Sequence, residues 1–324
     1  MNAKFTPNKI SNRLWHILLM AILLILTSIA CPGYRQIDEN TTFLAEIRTA
    51  YSVVWSPTNE EVAISAENDK ENISNIYVYN LINDSIQLIA QTTKGGEGIM
   101  AMDWSPDGEK LIISSSGGKI YEEGIWIIDS DQSDFVEYFR DGGLAVWSTT
   151  NLIAIEEGDY REDSIQTITV VNYLTGEEKV VYKTIGNVID SMSWSPDGKE
   201  LVFAMRDRLG NEDGNLFILS IETGMTQQLT TDKKNIDPEL SPDGNMIAYI
   251  KKVEGDQIVP DKVLYIMNSD GSCETPVPGI TSAWDPTWSP DGKKIAFLRS
   301  GEVYVVDLIS IFGEEFLFEG MNCK

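Results

Sequence analysis

The chain has 324 residues, of which 42% are hydrophobic, so it is long enough to bury a sizeable core. Fifty acidic residues stand against 25 basic ones, for a formal net charge of −25. An excess of carboxylates on this scale repels nucleic acid and anionic lipid head groups, which excludes nucleic-acid binding as a function.

The first thirty residues are typical of a secretory signal peptide. Three basic residues precede an apolar run that extends from Leu14 to Ala30 and stops at Cys31. A small residue directly before a cysteine resembles the cleavage site of bacterial lipoproteins, in which that Cys carries a diacylglycerol. We predict a signal peptide over residues 1–30, lipidation at Cys31 and a tether over residues 31–40. The alternative is an uncleaved signal anchor, although the run is short for a membrane span.

From residue 55 onward, one turn motif recurs six times at nearly constant spacing. Successive copies are 43 to 49 residues apart, and a repeat of roughly 40 to 50 residues has the size of a four-stranded propeller blade. The first residue of each copy, here called the lead position, is Trp55, Trp104, Trp147, Trp194, Leu240 or Trp288. We predict an all-β protein in which residues 41–324 form one six-bladed β-propeller of four-stranded blades.

The motif itself predicts a tight hairpin turn. In its complete form it reads Trp-Ser-Pro-Asp-Gly, as at Trp194, where Pro sets φ for a type I turn and Gly takes the left-handed position after it. In the two degenerate copies the Gly is replaced by Asn59 and Asn151. Asn is the residue that best tolerates positive φ after Gly, so the backbone requirement is kept.

Each turn is followed by a strand that is apolar on both faces, then by a second strand and a more polar outer one. Strands that are apolar on both faces are buried on both sides, as in a blade stacked between two others. A closed ring also needs a strand to join the last blade to the first. The segments Thr42–Ile47 and Phe316–Phe318 compete for this place, and we favour the N-terminal one.

The run from Asp285 to Phe297, with its echo from Asp237 to Gly244, resembles the repeat of the TolB family of six-bladed propellers. The likeness extends over about residues 49 to 308. In the family's namesake the propeller follows an N-terminal α/β domain and acts in the periplasm, where it binds peptidoglycan-associated lipoprotein and other envelope proteins. Only about ten to fifteen residues separate Cys31 from the first blade. We therefore expect a lipoprotein form without that domain. The partners of the namesake cannot be assigned to this chain.

Two aspartates are the candidate binding residues of the propeller. The first strand of each blade is expected to line a central channel, and the resemblance gives Asp-Pro as a recurrent element of that strand. The residues three positions before the lead positions are Ser52, Ala101, Leu144, Ser191, Asp237 and Asp285. Asp237 and Asp285 therefore approach one channel mouth, where they either fix their loops through backbone N–H groups or hold a cationic ligand, a peptide or an ion.

The sequence offers little catalytic chemistry. The one histidine, His16, lies in the predicted signal peptide, which leaves the exported part without a Ser-His-Asp triad or a histidine zinc site. No phosphate-binding loop, nucleophile elbow or metal-binding Cys cluster is visible, so we predict neither enzyme activity nor a cofactor. Two alternatives stay open: a glycan-cleaving enzyme that uses paired carboxylates in the channel, and a module that senses calcium or a peptide.

Two further cysteines, Cys273 and Cys323, are a candidate disulfide, since an exported protein meets an oxidising compartment. Taken together, the patterns predict an exported, monomeric propeller that is anchored to a membrane by its N-terminal lipid, in the periplasm or at the cell surface. Its predicted role is to bind envelope or extracellular proteins, and its acidic surface favours basic partners.

Overall fold

The structure is a computed structural model that describes part of the chain. It describes residues 35–36, 41–45, 47, 49–58, 60–68, 71–93, 98–117, 122–131, 136–158, 164–210, 212–254 and 261–313. The predicted signal peptide, Cys31 and Cys323 lie outside these ranges. Within them, no helix has the length and apolar character that a membrane crossing requires.

The described chain forms six antiparallel sheets, which are the blades, and almost no helix. Two strands precede the first blade, namely β1 (Arg35–Gln36) and β2 (Thr41–Ala45). Blade 1 contains β3 (Ala50–Trp55), β4 (Glu61–Asn68), β5 (Ile73–Asn80) and β6 (Ser85–Gln91). Blade 2 contains β7 (Ile99–Trp104), β8 (Lys110–Ser115), β9 (Gly124–Asp129) and β10 (Val136–Arg140). Blade 3 contains β11 (Ala145–Trp147), β12 (Leu152–Gly158), β13 (Ile165–Asn172) and β14 (Glu178–Ile185).

The second half of the ring repeats this order. Blade 4 contains β15 (Asn187–Trp194), β16 (Glu200–Asp207), β17 (Asn215–Ser220) and β18 (Thr226–Gln228). Blade 5 contains β19 (Asn235–Leu240), β20 (Met246–Val253), β21 (Asp261–Asn268) and β22 (Thr275–Thr281). Blade 6 contains β23 (Ala283–Trp288), β24 (Lys294–Arg299) and β25 (Glu302–Asp307), and the short helix α1 (Leu308–Phe312) follows. The innermost strand of each blade contacts the next around the ring, and β23 contacts β3. The predicted six-bladed propeller is confirmed.

The N-terminal segment completes the last blade, as the sequence favoured. Strand β2 pairs with β25, with Thr41 opposite Val306 and Phe43 opposite Tyr304. The Phe43 and Tyr304 rings pack edge to face with centroids 5.8 Å apart. Blade 6 is therefore built from both ends of the described chain, which joins the ring without leaving its last sheet short of a strand.

The repeated turn has the geometry that its sequence predicts. In blade 4, the backbone N–H of Gly198 donates to the Ser195 carbonyl at 2.9 Å, and Gly198 has a φ of 69°. In the degenerate copy of blade 3, Asn151 has a φ of 61° and donates to the Ser148 carbonyl at 3.2 Å. Asn151 thus replaces Gly in the left-handed position as predicted, whereas Asn59 lies outside the described residues.

The hydrophobic core lies between the blades. The second strands are buried on both faces, as in β16, where Leu201, Val202, Phe203 and Ala204 have no exposed surface. The lead tryptophans are at most 8% exposed and pack against the neighbouring blade. Some also donate across the interface, since the Trp104 indole N–H donates to the Val54 carbonyl at 3.1 Å. The lead position therefore serves blade-to-blade packing.

Cys273 follows the Asp270-Gly271 turn of blade 5 and is disulfide-bonded. Its expected partner, Cys323, lies beyond the described residues, so the Cys273–Cys323 pairing stays a prediction. A disulfide from this turn to the end of the chain would restrain the segment that follows blade 6.

Candidate functional site

A cavity of about 600 Å³ lies at the centre of the ring. All six innermost strands contribute to its wall, so it is the central channel. A cavity of this size accommodates a small molecule or a few side chains, but not a folded domain. The end of the channel at which Tyr51, Asp237, Trp284 and Asp285 lie is called the mouth below.

Five carboxylates line the channel, and four of them, all except Asp190, stand on two levels. Asp237 and Asp285 stand three positions before the lead residues of blades 5 and 6. Asp103 and Glu239 stand one position before the lead residues of blades 2 and 5. Asp237 and Glu239 are two residues apart on β19, so the two levels lie at different heights along the channel. We call them the upper pair and the lower pair.

Backbone bulges direct the upper pair toward the channel. The pairing of β19 with β20 shifts register between Ile236 and Glu239, and that of β23 with β24 shifts between Trp284 and Thr287. Within these bulges Asp237 and Asp285 have φ values of 51° and 48°. A bulge inserts one extra residue and re-aims its side chain, and Asp is one of the few residues that accept a left-handed backbone.

The upper pair is tied to the next blade but keeps acceptor capacity. The Asp285 Oδ2 atom accepts from the backbone N–H of Val53 at 2.8 Å. The neighbouring Ser52 hydroxyl, which donates to the Ala101 carbonyl, lowers the pKa of this carboxylate. The Asp237 Oδ2 atom accepts a long hydrogen bond of 3.5 Å from the Asp285 N–H. Within the described ranges this is the one hydrogen bond of Asp237, and neither aspartate has an ion pair. A carboxylate has about four acceptor sites, so both can accept more.

The lower pair, in contrast, connects blades. The Asp103 Oδ2 atom accepts from the Trp147 N–H at 2.7 Å, and its Oδ1 atom accepts from the N–H of Trp104 at 2.7 Å. The Glu239 Oε2 atom accepts from the Trp288 N–H at 2.7 Å, and the hydroxyl of Thr287 donates to its Oε1 atom at 3.2 Å. All four oxygens are thus engaged. Asp103 Oδ2 and both Glu239 oxygens hold one innermost strand to the next, whereas Asp103 Oδ1 accepts within its own strand.

Burial within the channel disfavours the ionised form of these groups. It raises the pKa of Asp237 to about 6 and that of Asp103 to about 7. Burial also raises the pKa of Asp285 to about 7, and the neighbouring Asp237 carboxylate adds to this shift. The pKa of Glu239 lies well above its usual value for the same first reason. Near neutral pH the channel therefore favours either bound protons or a cationic ligand.

Aromatic and basic side chains form the rim of the mouth. Tyr51 and Trp284, each four positions before a lead residue, are 37% and 47% exposed and line the cavity. The ammonium of Lys262, at the start of β21 in blade 5, lies over the Trp284 ring. Partial burial lowers the pKa of Lys262 to about 8, although the Asp237 and Asp213 carboxylates act in the opposite direction.

The other charges near the mouth are paired. Arg206 Nε lies 2.9 Å from Asp190 Oδ2, and Lys252 Nζ lies 2.6 Å from Asp213 Oδ2. Lys262 has no carboxylate within ion-pair distance in the part of the chain that the structure describes. Nor do those residues contain a group of three or more acidic, His or Cys side chains arranged to hold a metal ion.

Sequence reasoning singled out the upper pair as candidates and did not single out Asp103, Glu239 or Lys262. The structure places Asp237 and Asp285 at the same level of the channel, in neighbouring blades, as the repeat predicted. Asp103 and Glu239 could have been found by the same counting, one position before the lead residue. Lys262 could not have been found by this counting, because it lies on the third strand of blade 5 and contacts Trp284 in blade 6.

Comparisons with known proteins agree with this architecture. The family model of the TolB β-propeller domain matches residues 159–309. The structure of TolB from Acinetobacter baumannii is similar, with a TM-score of 0.57 at 16% identity, over 94% of this chain and 71% of that one. An oligogalacturonate lyase from Vibrio parahaemolyticus superposes with a TM-score of 0.53 at 12% identity, over 82% of this chain and 93% of that chain. Identities this low show the shared fold alone.

A similarity in sequence extends to one part of a peptidase. Dipeptidyl-peptidase 5 of Porphyromonas gingivalis is 32% identical over 124 residues, which are 35% of this chain and 18% of that protein. The chain therefore spans less than a fifth of the length of this relative. The activity in the relative's name is said of the whole of that protein.

Proposed function

We propose that this chain, which belongs to the TolB-like six-bladed β-propellers, is a binding module of the cell envelope that receives a partner protein at the mouth of its central channel. The observation that carries the proposal is the upper pair. Asp237 and Asp285 are turned into a cavity of about 600 Å³, retain acceptor capacity and stand beside exposed aromatic rings.

The energetics of the mouth favour a ligand. Both carboxylates lose hydration by burial, which raises their pKa values, and the Asp237 carboxylate raises the pKa of Asp285 further by repulsion. A cationic group from a partner would relieve both costs at once. The exposed Trp284 and Tyr51 rings add apolar contact area of the kind that concentrates binding energy in protein interfaces.

The proposal is tested by site-specific crosslinking in intact cells. A photo-reactive residue is placed at Met100, which is half-buried and lines the cavity at the rim. We expect a crosslinked partner from this position, and its yield falls when Asp237 and Asp285 are changed together to Asn. The matched control carries the same photo-reactive residue at Val180, which is 57% exposed on the outer strand β14 of blade 3.

The outcomes separate mouth binding from general adhesion. The same captured protein at equal yield from Val180 and Met100 would mean that the acidic surface as a whole binds it. A yield from Met100 that the double Asn variant leaves unchanged would remove the upper pair from the function. No capture from Met100 would refute the proposal.

Membrane anchoring through Cys31 is the second part of the proposed role. A small residue followed by Cys at the end of the apolar run supports it, as does the charge of the exported part, which gives it no basic patch for a membrane. Metabolic labelling with a radioactive fatty acid should mark the wild-type protein. The Cys31→Ala variant should lose the label and leave the membrane fraction, whereas an unlabelled wild type would contradict lipidation.

A catalytic alternative is supported by the same two carboxylates. Paired carboxyl groups with raised pKa values can act as acid and base on a glycosidic bond, and a lyase of similar fold exists. Under this alternative, envelope glycans incubated with the purified protein are cleaved, and Asp237→Asn or Asp285→Asn abolishes cleavage without lowering the melting temperature. Under the binding proposal, no glycan is cleaved by either form.

A further inference from the structure

The aromatic rim and Lys262 together indicate what kind of group the mouth takes. Among the described large hydrophobic residues that are exposed, Tyr51 and Trp284 are the aromatic ones, and both line the same cavity. They stand in neighbouring blades, since blade 6 contacts blade 1 across β23 and β3. Exposed aromatic surface gathered at one cavity is a feature of ligand sites rather than of ordinary protein surface.

A cation of the chain itself already occupies part of this rim. Lys262 extends from blade 5 and places its ammonium over the Trp284 ring in blade 6. This is a cation–π contact, in which the ring quadrupole attracts a positive charge. Asp237 and Asp213 attract the same ammonium, while Lys252 repels it. Lys262 thus lies where the aromatic rim and the channel carboxylates overlap, without a carboxylate at ion-pair distance in the described part of the chain.

We propose, on the basis of the binding function above, that the mouth takes a basic side chain of the partner, Arg or Lys, and that Lys262 is an internal competitor that holds the Trp284 ring in the unliganded protein. The partner's aliphatic stem packs against Trp284 and Tyr51. Its charged end reaches the upper pair, where Asp237 and Asp285 accept its N–H groups.

The charge distribution explains why a cation is required. The channel wall carries Asp103, Asp190, Asp237, Glu239 and Asp285. Of these, Asp190 is paired with Arg206, and the lower pair is engaged by backbone N–H groups. The upper pair is the remaining negative group, and Lys262 is the nearby positive one. An incoming cation therefore gains contact with the upper pair but is repelled by Lys262.

The groups at the mouth suit a basic side chain better than a metal ion. The described residues offer no group of three ligating side chains, and an aromatic ring is not a ligand for a hydrated divalent ion. A long basic side chain uses all three features of the mouth, since its stem contacts the rings and its end contacts the carboxylates. The cavity volume of about 600 Å³ suits one or two such side chains.

The test compares short end-blocked peptides that differ at one position, which is Arg, Lys, norleucine or Glu. Binding to the purified protein is followed by fluorescence anisotropy at low and at moderate salt. We expect the Arg and Lys peptides to bind and the other two to bind weakly or not at all. Lys262→Gln should tighten binding of the basic peptides about two- to fivefold. It removes the competing cation–π contact, and the free energy of an exposed contact of this kind corresponds to a fold-change in affinity of that magnitude.

Two further variants keep the result interpretable. Trp284→Leu should weaken the basic peptides, since their stems lose the indole surface. Lys293→Gln removes one positive charge from an exposed turn in blade 6 and should leave binding as in the wild type. A change in Lys293→Gln as large as in Lys262→Gln would show an effect of net charge alone and would overturn the competitor role.

Other outcomes also overturn the inference. Weaker binding of basic peptides to Lys262→Gln would make Lys262 part of the ligand site rather than a competitor. Preference for the Glu peptide would reverse the charge of the ligand. If no peptide binds while Met100 still captures a partner in cells, this inference fails and the proposed function stands; if Met100 also captures nothing, both fail.

Discussion

Glu239 in blade 5 accepts a hydrogen bond of 2.7 Å from the backbone N–H of Trp288 in blade 6. The indole N–H of Trp288 donates a second hydrogen bond to the same residue, at the Glu239 carbonyl, at 3.1 Å. Two strands of different sheets, which share no sheet ladder, are thereby joined by two hydrogen bonds that Trp288 donates to Glu239. Asp103 and Trp147 repeat the first half of this arrangement between blades 2 and 3.

The Glu239 contact predicts a contrast between two substitutions. Glu239→Ala leaves the buried N–H of Trp288 without its acceptor, which costs about 1–3 kcal/mol of unfolding free energy. Glu239→Gln keeps a carbonyl oxygen there and removes a carboxyl group that burial already disfavours in its charged form. We expect urea unfolding to show a lower midpoint for the Ala variant and a midpoint equal to or above the wild type for the Gln variant. Equal losses in both would show that charge, and not hydrogen bonding, is what Glu239 supplies.

The upper pair predicts that stability changes with pH. The pKa values of Asp237 and Asp285 are about 6 and about 7, above the value near 4 of an unfolded aspartate. Between about pH 4 and pH 7 the folded protein therefore holds protons that the unfolded chain has released, so the stability from these groups falls as the pH rises through that window. We expect a lower Tm at about pH 8 than at about pH 5.5.

Two variants test whether Asp237 and Asp285 cause this pH dependence. Changing both Asp237 and Asp285 to Asn should reduce the slope of Tm against pH. Asp103 should supply part of the remaining pH dependence. Asp197→Asn is the control, since the Lys199 and Ser195 side chains lower the pKa of this exposed carboxyl to about 2, outside the window. An unchanged slope in the double variant would place the titrating groups elsewhere.

The left-handed turn residue of blade 3, Asn151, predicts opposite effects on stability when it is replaced by Gly or by Ala. Asn151 has a φ of 61°, a conformation that costs a residue with a Cβ roughly 1–2 kcal/mol but is free for Gly. Asn151→Gly should therefore leave the unfolding free energy unchanged or raise it. Asn151→Ala should lower it by about 1 kcal/mol, because Ala tolerates this conformation less well than Asn. Denaturant unfolding of both variants measures the difference, and a lower stability for Gly than for Ala would contradict the turn geometry.

The closure of the ring predicts that a substitution far from the channel lowers stability. Phe43 on β2 packs against Tyr304 of β25 and the core of blades 5 and 6. Phe43→Ala should cost about 2–3 kcal/mol, less than a fully buried Phe because its side chain is half-buried. Val180→Ala, on an exposed outer strand, is the control and should change stability little. If both variants unfold like the wild type, β2 does not hold the ring closed.

The sequence by itself determined the ring, because its repeat encodes local requirements. A turn that needs positive φ, as at Gly198 and Asn151, and a strand that is buried on both faces are fixed by neighbouring residues, so they can be read from spacing. Counting from the lead position also assigned Asp237 and Asp285 to one level, since every blade repeats the same strand. The need of blade 6 for a closing strand was also readable, but two segments remained candidates, and the pairing of β2 with β25 is seen only in the structure.

Tertiary structure alone decided which of these carboxylates is available to a ligand. Asp103 and Glu239 are carboxylates like the upper pair, but both oxygens of each already accept a hydrogen bond, one of them from a backbone N–H of the next blade. The distinction depends on which donors of the neighbouring blade each carboxylate meets, which no local pattern records. The same is true of Lys262 and Trp284, which are 22 positions apart in the chain and meet because two adjacent blades converge on the channel mouth.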